Sequence, residues 1–140
     1  MSLILDTNVL SELRKKRPHA RVTAWFKREP LEACYVSVVT LGEIEQGIAQ
    51  TNDSIQARVL RRWLEGVLLP AFRDHILPLG ESEMRLWGRL RGEGFRIGRP
   101  VAVTDALLAA TAIRHDYTLA TRNVTDFEGL GVRLFNPWEV

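Results

Sequence analysis

The sequence predicts an α/β fold, a three-layer α/β/α sandwich around a mainly parallel central sheet of about five strands. Short apolar runs alternate with longer stretches of helical periodicity from one end of the chain to the other, the pattern of a sheet built from crossover units. One segment near the C-terminus is apolar on almost every side, as a helix enclosed by the fold must be. No internal repeat, low-complexity tract or Pro/Gly-rich linker interrupts this order, so residues 1–140 read as a single domain.

Ser2–Leu5 is a short apolar run and the first expected strand. It stops at Asp6-Thr7-Asn8, residues that cap helices and form turns. A helix is expected from there to about Lys16, broken by Pro18. A second, around 19–28, sets Val22, Trp25 and Phe26 on one side and is ended by Pro30. Ala33–Ser37 is the second strand, and Thr40 opens a helix to about Gln50. After the turn Asn52-Asp53-Ser54, the spacing of Val59, Leu60, Trp63, Leu64, Val67 and Leu68 predicts a long amphipathic helix. His75–Leu79 is the third strand. A helix from Glu81 to about Glu93 follows, and Gly92, Gly94, Gly98 and Pro100 are expected to form a loop. Ala102–His115 is the apolar helix. Tyr117–Thr121 and Val132–Phe135 complete the sheet.

Composition narrows the class. Hydrophobic residues at 46% and charged residues at 26%, with four Trp and five Phe, exclude a disordered chain. The single cysteine, Cys34, excludes an internal disulfide framework and is expected as a buried thiol. The N-terminus lacks the basic start of an export signal and reaches an acid at Asp6. No apolar run approaches the roughly 18 residues of a membrane span, so a cytoplasmic protein is expected. The net charge is +2, and sixteen of the nineteen basic residues are Arg. Codon usage and phosphate recognition both produce such a surplus, the latter because Arg offers a bidentate fork.

Four acids stand out by position. Asp6 ends the first strand, Glu43 follows the second, and Asp126, with Asn123, follows the fourth. In open parallel sheets ligands bind beyond the carboxyl ends of the strands, which places these on one edge. Asp105 joins them on charge: a carboxylate between Val103 and the run Ala106–Ala110 needs a cation, an Arg or a helix N-terminus to offset its desolvation. Each has a plainer explanation. Asp6 suits a helix cap, Thr40-Leu-Gly-Glu43 matches a capping box, Asp105 suits a helix N-terminus, and Asp126 suits a surface turn. Taken together, hard oxygen donors without a usable His or Cys set point to Mg²⁺ or Mn²⁺ rather than zinc. His19, His75 and His115 fall in unrelated elements and are expected as surface or capping residues. Metal held by the four acids would acidify a water and orient it toward a phosphodiester phosphorus. No nucleophilic Ser or Cys arrangement, phosphate-binding glycine loop or D-x-D-x-T phosphatase signature is present.

The ordered set Leu5-Asp6-Thr7-Asn8-Val9-Leu10-Ser11-Glu12, Thr40-Leu-Gly-Glu43, Thr104-Asp105-Ala106, Thr121-Arg-Asn-Val-Thr-Asp-Phe127 and Phe135-Asn-Pro-Trp138 resembles the PIN domain. More narrowly it resembles the VapC-type toxins of toxin–antitoxin pairs, in their FitB-like branch, over almost the whole chain. The resemblance implies an Mg²⁺-dependent endoribonuclease, a homodimer and a cognate antitoxin through which alone DNA would be bound. It assigns Asp6, Glu43 and Asp105 to an acidic metal pocket, with the Thr7 and Thr121 hydroxyls near it. Asn123 stands where some relatives carry the fourth acid, so Asp126 is placed in the pocket and Asn123 beside it as an orienting or water-bridging neighbour.

RNA needs a cationic approach. Arg89, Arg91, Arg96 and Arg99 crowd the segment before Asp105 and are the first candidates. Arg14, Lys15, Lys16 and Arg17 form a second cluster, and Arg122 is a candidate neutraliser of a pocket acid. Trp63 and Trp87 lie on apolar stripes that serve either the core or a dimer contact. A different class, a non-catalytic partner acting with a DNA-binding regulator, shares these features and differs in lacking metal-dependent cleavage.

Overall fold

The computed structural model describes residues 1–140. Five strands, β1 (Leu3–Leu5), β2 (Cys34–Ser37), β3 (Ile76–Leu77), β4 (Thr118–Ala120) and β5 (Leu134–Phe135), form one sheet in the order β3-β2-β1-β4-β5. Every pairing is parallel, with Leu3 opposite both Cys34 and Thr118, Val36 opposite Ile76, and Leu119 opposite Leu134. The chain winds outward from β1 to β3, then returns to the other side of β1 for β4 and β5. That reversal places a topological switch point between β1 and β4.

Side chains alternate across a strand, and the core divides accordingly. Leu3 and Leu5 join Val9, Trp25, Val36 and Leu64 on one face, under helices α1 (Thr7–Arg14), α2 (Ala20–Arg28), α3 (Val38–Gln50) and α4 (Ser54–Trp63). Ile4 joins Leu108, Ala109, Ala112, Leu119 and Phe127 on the other, under α6 (Glu81–Arg96) and α7 (Val103–His115). The three β1 side chains are fully buried, which explains why this strand is apolar at every position. Cys34 is likewise sealed in the first core, and burial pushes its thiol up to about 11. No helix is long and apolar enough to cross a membrane.

Three boundaries depart from the sequence reading for physical reasons. Helix α3 starts at Val38 rather than Thr40, because Ser37, the last residue of β2, caps it by accepting the Val39 N–H at 3.0 Å. The long helix from Ser54 is not uniform: after α4 the chain widens into a π turn at Leu64–Leu68, then closes as α5 (Leu69–Ala71). Gly92 and Gly94 belong to α6, not to a loop. Gly94 is buried there, and a Cβ would meet the Arg99 carbonyl oxygen at 2.7 Å, so only glycine fits without a shift. Its bare backbone lets the connection to α7 fold back against the helix, with Arg99 N–H donating to the Gly94 carbonyl at 2.8 Å.

Candidate active site

Asp6 leaves the end of β1 and Thr121 the end of β4, so the switch point brings them together. The Thr121 hydroxyl donates to Asp6 Oδ2 at 2.8 Å, and the Thr7 N–H donates to Oδ1 at 2.7 Å. Asn8 Nδ2 bridges Asp6 Oδ2 and Thr121 Oγ1, at 3.3 Å to each. Thr121 is itself held by the Asn123 N–H at 3.1 Å. Asp6 is therefore a helix cap and a buried, positioned acid at once. Glu43 is not part of a capping box. Ser37 performs that role, and Glu43 Oε1 instead accepts the Thr7 hydroxyl at 2.9 Å, across 36 residues of chain.

A cleft of about 470 Å³ opens over these acids, with Thr121 buried behind it. Asp6, Thr7, Glu43, Asp105, Arg122 and Asn123 are in its wall. A second cleft, about 420 Å³, runs between the C-terminal half of α6 and the segment after β4, and Asp105 and Asp126 line it with Arg99. Asp105, in the first turn of α7, faces both. Asn123 thus shares the Asp6 cleft, while Asp126, on the short 3₁₀ turn Val124–Phe127, faces the adjoining one. The sequence reading gave no site role to Asn8, Ser11, Glu12 or Trp138, which also line the first cleft, and Lys15 of the second basic cluster joins them there. Of these, Glu12 is buried and accepts the His19 N–H and the Lys15 ammonium, both at 2.9 Å, which hold its carboxyl below the usual range.

The electrostatics mark the acids as a group. Burial raises Asp6, opposed by its bonds from Thr121, Thr7 and Asn8, and Asp126 raises it further. Burial raises Glu43, with the Asp6 charge adding to it. Asp105 is pushed up to about 6 by burial and then by Asp126, Asp6 and Glu43 in turn. Like charges thus act on one another across both clefts, and none of the three raised acids has a salt-bridge partner within 4 Å. Arg122 lies instead over the Trp138 ring, 5.2 Å from its centroid. The donor set consists of carboxylates, hydroxyls and an amide, which suits a hard divalent cation. No three His, Cys, Asp or Glu side chains stand at ligating separation as a finished cage.

The arginines before Asp105 fall into different settings. Arg91 is half-buried and structural: its Nε donates to the Val101 carbonyl at 3.2 Å, and its guanidinium lies over Trp87 and Phe95. Arg96 is paired with Glu93. Arg99 lines the second cleft, and Arg89 points into a separate notch on α6. From the other basic cluster, Arg14 lies over Trp63 and Lys15 bonds Glu12.

The strand order and the switch-point cleft walled by interacting acids define an α/β domain with an acidic site, and the PIN domain family model matches residues 3–130. The chain belongs to the PIN domain family. It is 37% identical over 136 residues to Toxin FitB of Neisseria gonorrhoeae, covering 97% of this chain and 98% of that one. It is 34% identical over 137 residues to VapC ribonuclease Y4jK of Sinorhizobium fredii, covering 98% of each. The crystal structure of FitAcB from Neisseria gonorrhoeae matches with a TM-score of 0.89 at 36% identity, over 99% of both chains.

Proposed function

We propose that the protein is a metal-dependent endoribonuclease toxin held inactive by a cognate antitoxin. The observation that carries this reading is the set of three desolvated, mutually repelling acids, Asp6, Glu43 and Asp105, at the switch point. Such a group is costly without a counter-cation. Asp6, Glu43 and Asp105 would hold Mg²⁺, with Mn²⁺ as a substitute and Asp126 joining from the neighbouring cleft. What such a cation supplies is acidification of a water and neutralisation of charge on the phosphoryl oxygens. The protein's own part is positioning. Thr121 and Asn8 fix the Asp6 carboxylate, Thr7 fixes Glu43, and Asn123 steadies Thr121.

An apolar groove of about 290 Å³ offers an antitoxin a docking surface. Leu10 and Leu13 of α1, Phe26 of α2 and Trp63, Val67 and Phe72 line it, and Val67 is largely exposed. Helix α1 borders both, presenting Leu10 and Leu13 to the groove and Thr7, Ser11 and Glu12 to the acidic cleft. The relative Toxin FitB is named as a toxin, which an antitoxin would restrain. A homodimer is supported by exposed Met84 and Phe95 on α6, with the bare backbone of Gly88 and Gly92 between them at helical spacing.

Induced expression tests the whole reading. Wild type is expected to arrest growth and to cleave RNA in Mg²⁺ but not in EDTA. Asp6→Asn and Asp105→Asn are expected to be folded and harmless. A variant that stays toxic with Mg²⁺-dependent cleavage intact would remove its acid from the site. A wild type that binds its antitoxin yet never cleaves RNA would make the protein a non-catalytic partner.

A further inference from the structure

At the end of the α6–α7 pair away from Asp105, Arg85 and Arg89 of α6 and Arg114 of α7 open onto a notch of about 320 Å³. Glu81 and Ser82 complete its wall, and no hydrophobic residue lines it. The charges are poorly matched. Arg85 has only Glu81, at 3.6 Å and strongly exposed, while Arg89 has no ion-pair or hydrogen-bond partner. Arg114 is oriented by donation from Nε to the Ser82 carbonyl at 3.4 Å, which leaves its outer nitrogens free to face the notch. Three guanidiniums from two helices, one of them pre-oriented, form a receptor for an oxyanion with several acceptor oxygens.

We propose that this notch holds a backbone phosphate of a single-stranded RNA whose scissile bond lies in the acidic cleft. The proposal rests on the nuclease reading above and adds a second contact to it. Helix α6 walls the notch and the second cleft, which Asp105 joins to the first. Glu93 and Gly94 border the cleft of Asp105 and Asp126, and Arg89 and Arg85 border the notch. At 1.5 Å per residue, Glu93 and Arg85 are about 12 Å apart along the helix axis, a span of a few nucleotides. A protein segment is the weaker fit, since a docking surface needs an apolar centre and this notch has none. The site reads charge rather than base, so it adds affinity and register without sequence preference.

The test is equilibrium binding of a fluorescent 20-nucleotide single-stranded RNA to the full chain in EDTA, across a salt series. Arg85→Gln/Arg89→Gln/Arg114→Gln is expected to bind about tenfold more weakly. Its slope of log affinity against log salt is expected to be shallower by at least about 0.7, the value for one phosphate on a single strand. Arg89→Gln alone, which breaks no bond in the fold, is expected to shift both in the same direction. A control with equal charge loss elsewhere, Lys27→Gln/Arg58→Gln/Arg62→Gln, is expected to leave the slope unchanged. Wild-type binding by the notch variants, or the same loss in the control, overturns the proposal. So does a triple variant that keeps RNA but releases the antitoxin, which would make the notch a protein contact. Because no cleavage is needed, a protein that binds as expected yet fails to cut refutes the catalytic reading and leaves the notch standing.

Discussion

Replacing Asp105 by Asn removes a charge that the metal-free fold does not want. The carboxyl is held at about 6 against an ordinary 3.8, so between those values the folded chain keeps a proton that the unfolded chain has lost. Stability therefore falls as pH rises through that window, and the penalty is complete above about 6. A difference of about two pH units sets a ceiling of about 3 kcal/mol. Asp105 is only half-buried, and solvent screening reduces the expected figure to about 1 kcal/mol. The acid also gains about 0.5 kcal/mol from the N-terminus of α7, which Asn forfeits. In urea titrations with EDTA at pH 7.5, Asp105→Asn is expected to be more stable than wild type by about 0.5 kcal/mol. At pH 4 the gain is expected to vanish. Added Mg²⁺ is expected to stabilise wild type and leave the variant nearly unmoved. A variant equal to or weaker than wild type at pH 7.5 in EDTA would refute the argument, since the carboxylate would then cost nothing.

Three further outcomes follow from other parts of the site and its frame. Thr121→Val keeps the shape of a fully buried side chain but strips Asp6 of its closest side-chain donor; a loss of about 2 kcal/mol in urea titrations is expected, with a sharp fall in RNA cleavage. Gly94→Ala puts a methyl 2.7 Å from the Arg99 carbonyl oxygen; the better helix propensity offsets only part of the strain, and a net loss of about 1–2 kcal/mol is expected by thermal melting. Val67→Asp charges the rim of the apolar groove at an exposed position; unchanged stability and RNA cleavage are expected, with weaker antitoxin capture measured by co-purification.

The alternation of apolar runs and helical periods was enough to read the layers, and Pro18 and Pro30 marked helix ends within a residue or two of where they fall. Asp6 was legible because a strand ending in an acid needs only local sequence to be seen. Glu43 was not decidable in that way. Thr40-Leu-Gly-Glu43 has the spacing of a capping box, and only the direct passage of β2 into α3, with Ser37 as cap, frees Glu43 to meet Thr7. Gly94 misled for a related reason: its use is a close approach to Arg99, a contact made by the fold and invisible to propensity. The arginines were legible as a cluster but not as roles. Arg91 is spent on Val101 and two aromatic rings, whereas Arg114, not singled out beforehand, completes the notch with Arg85 and Arg89. Asp126 and Asn123 lie three residues apart, and the 3₁₀ turn between them sends the two into different clefts.

Cys34 is the one thiol in the chain, and it sits in β2 with no exposed surface and a strongly suppressed thiolate. A labelling reagent can reach it only when the sheet itself comes apart. The native protein therefore carries its own clock for opening, with no probe to engineer and no second thiol to confuse the signal. Run with and without Mg²⁺, that clock reports how tightly the closed sheet is coupled to whatever fills the cleft at the end of the neighbouring strand.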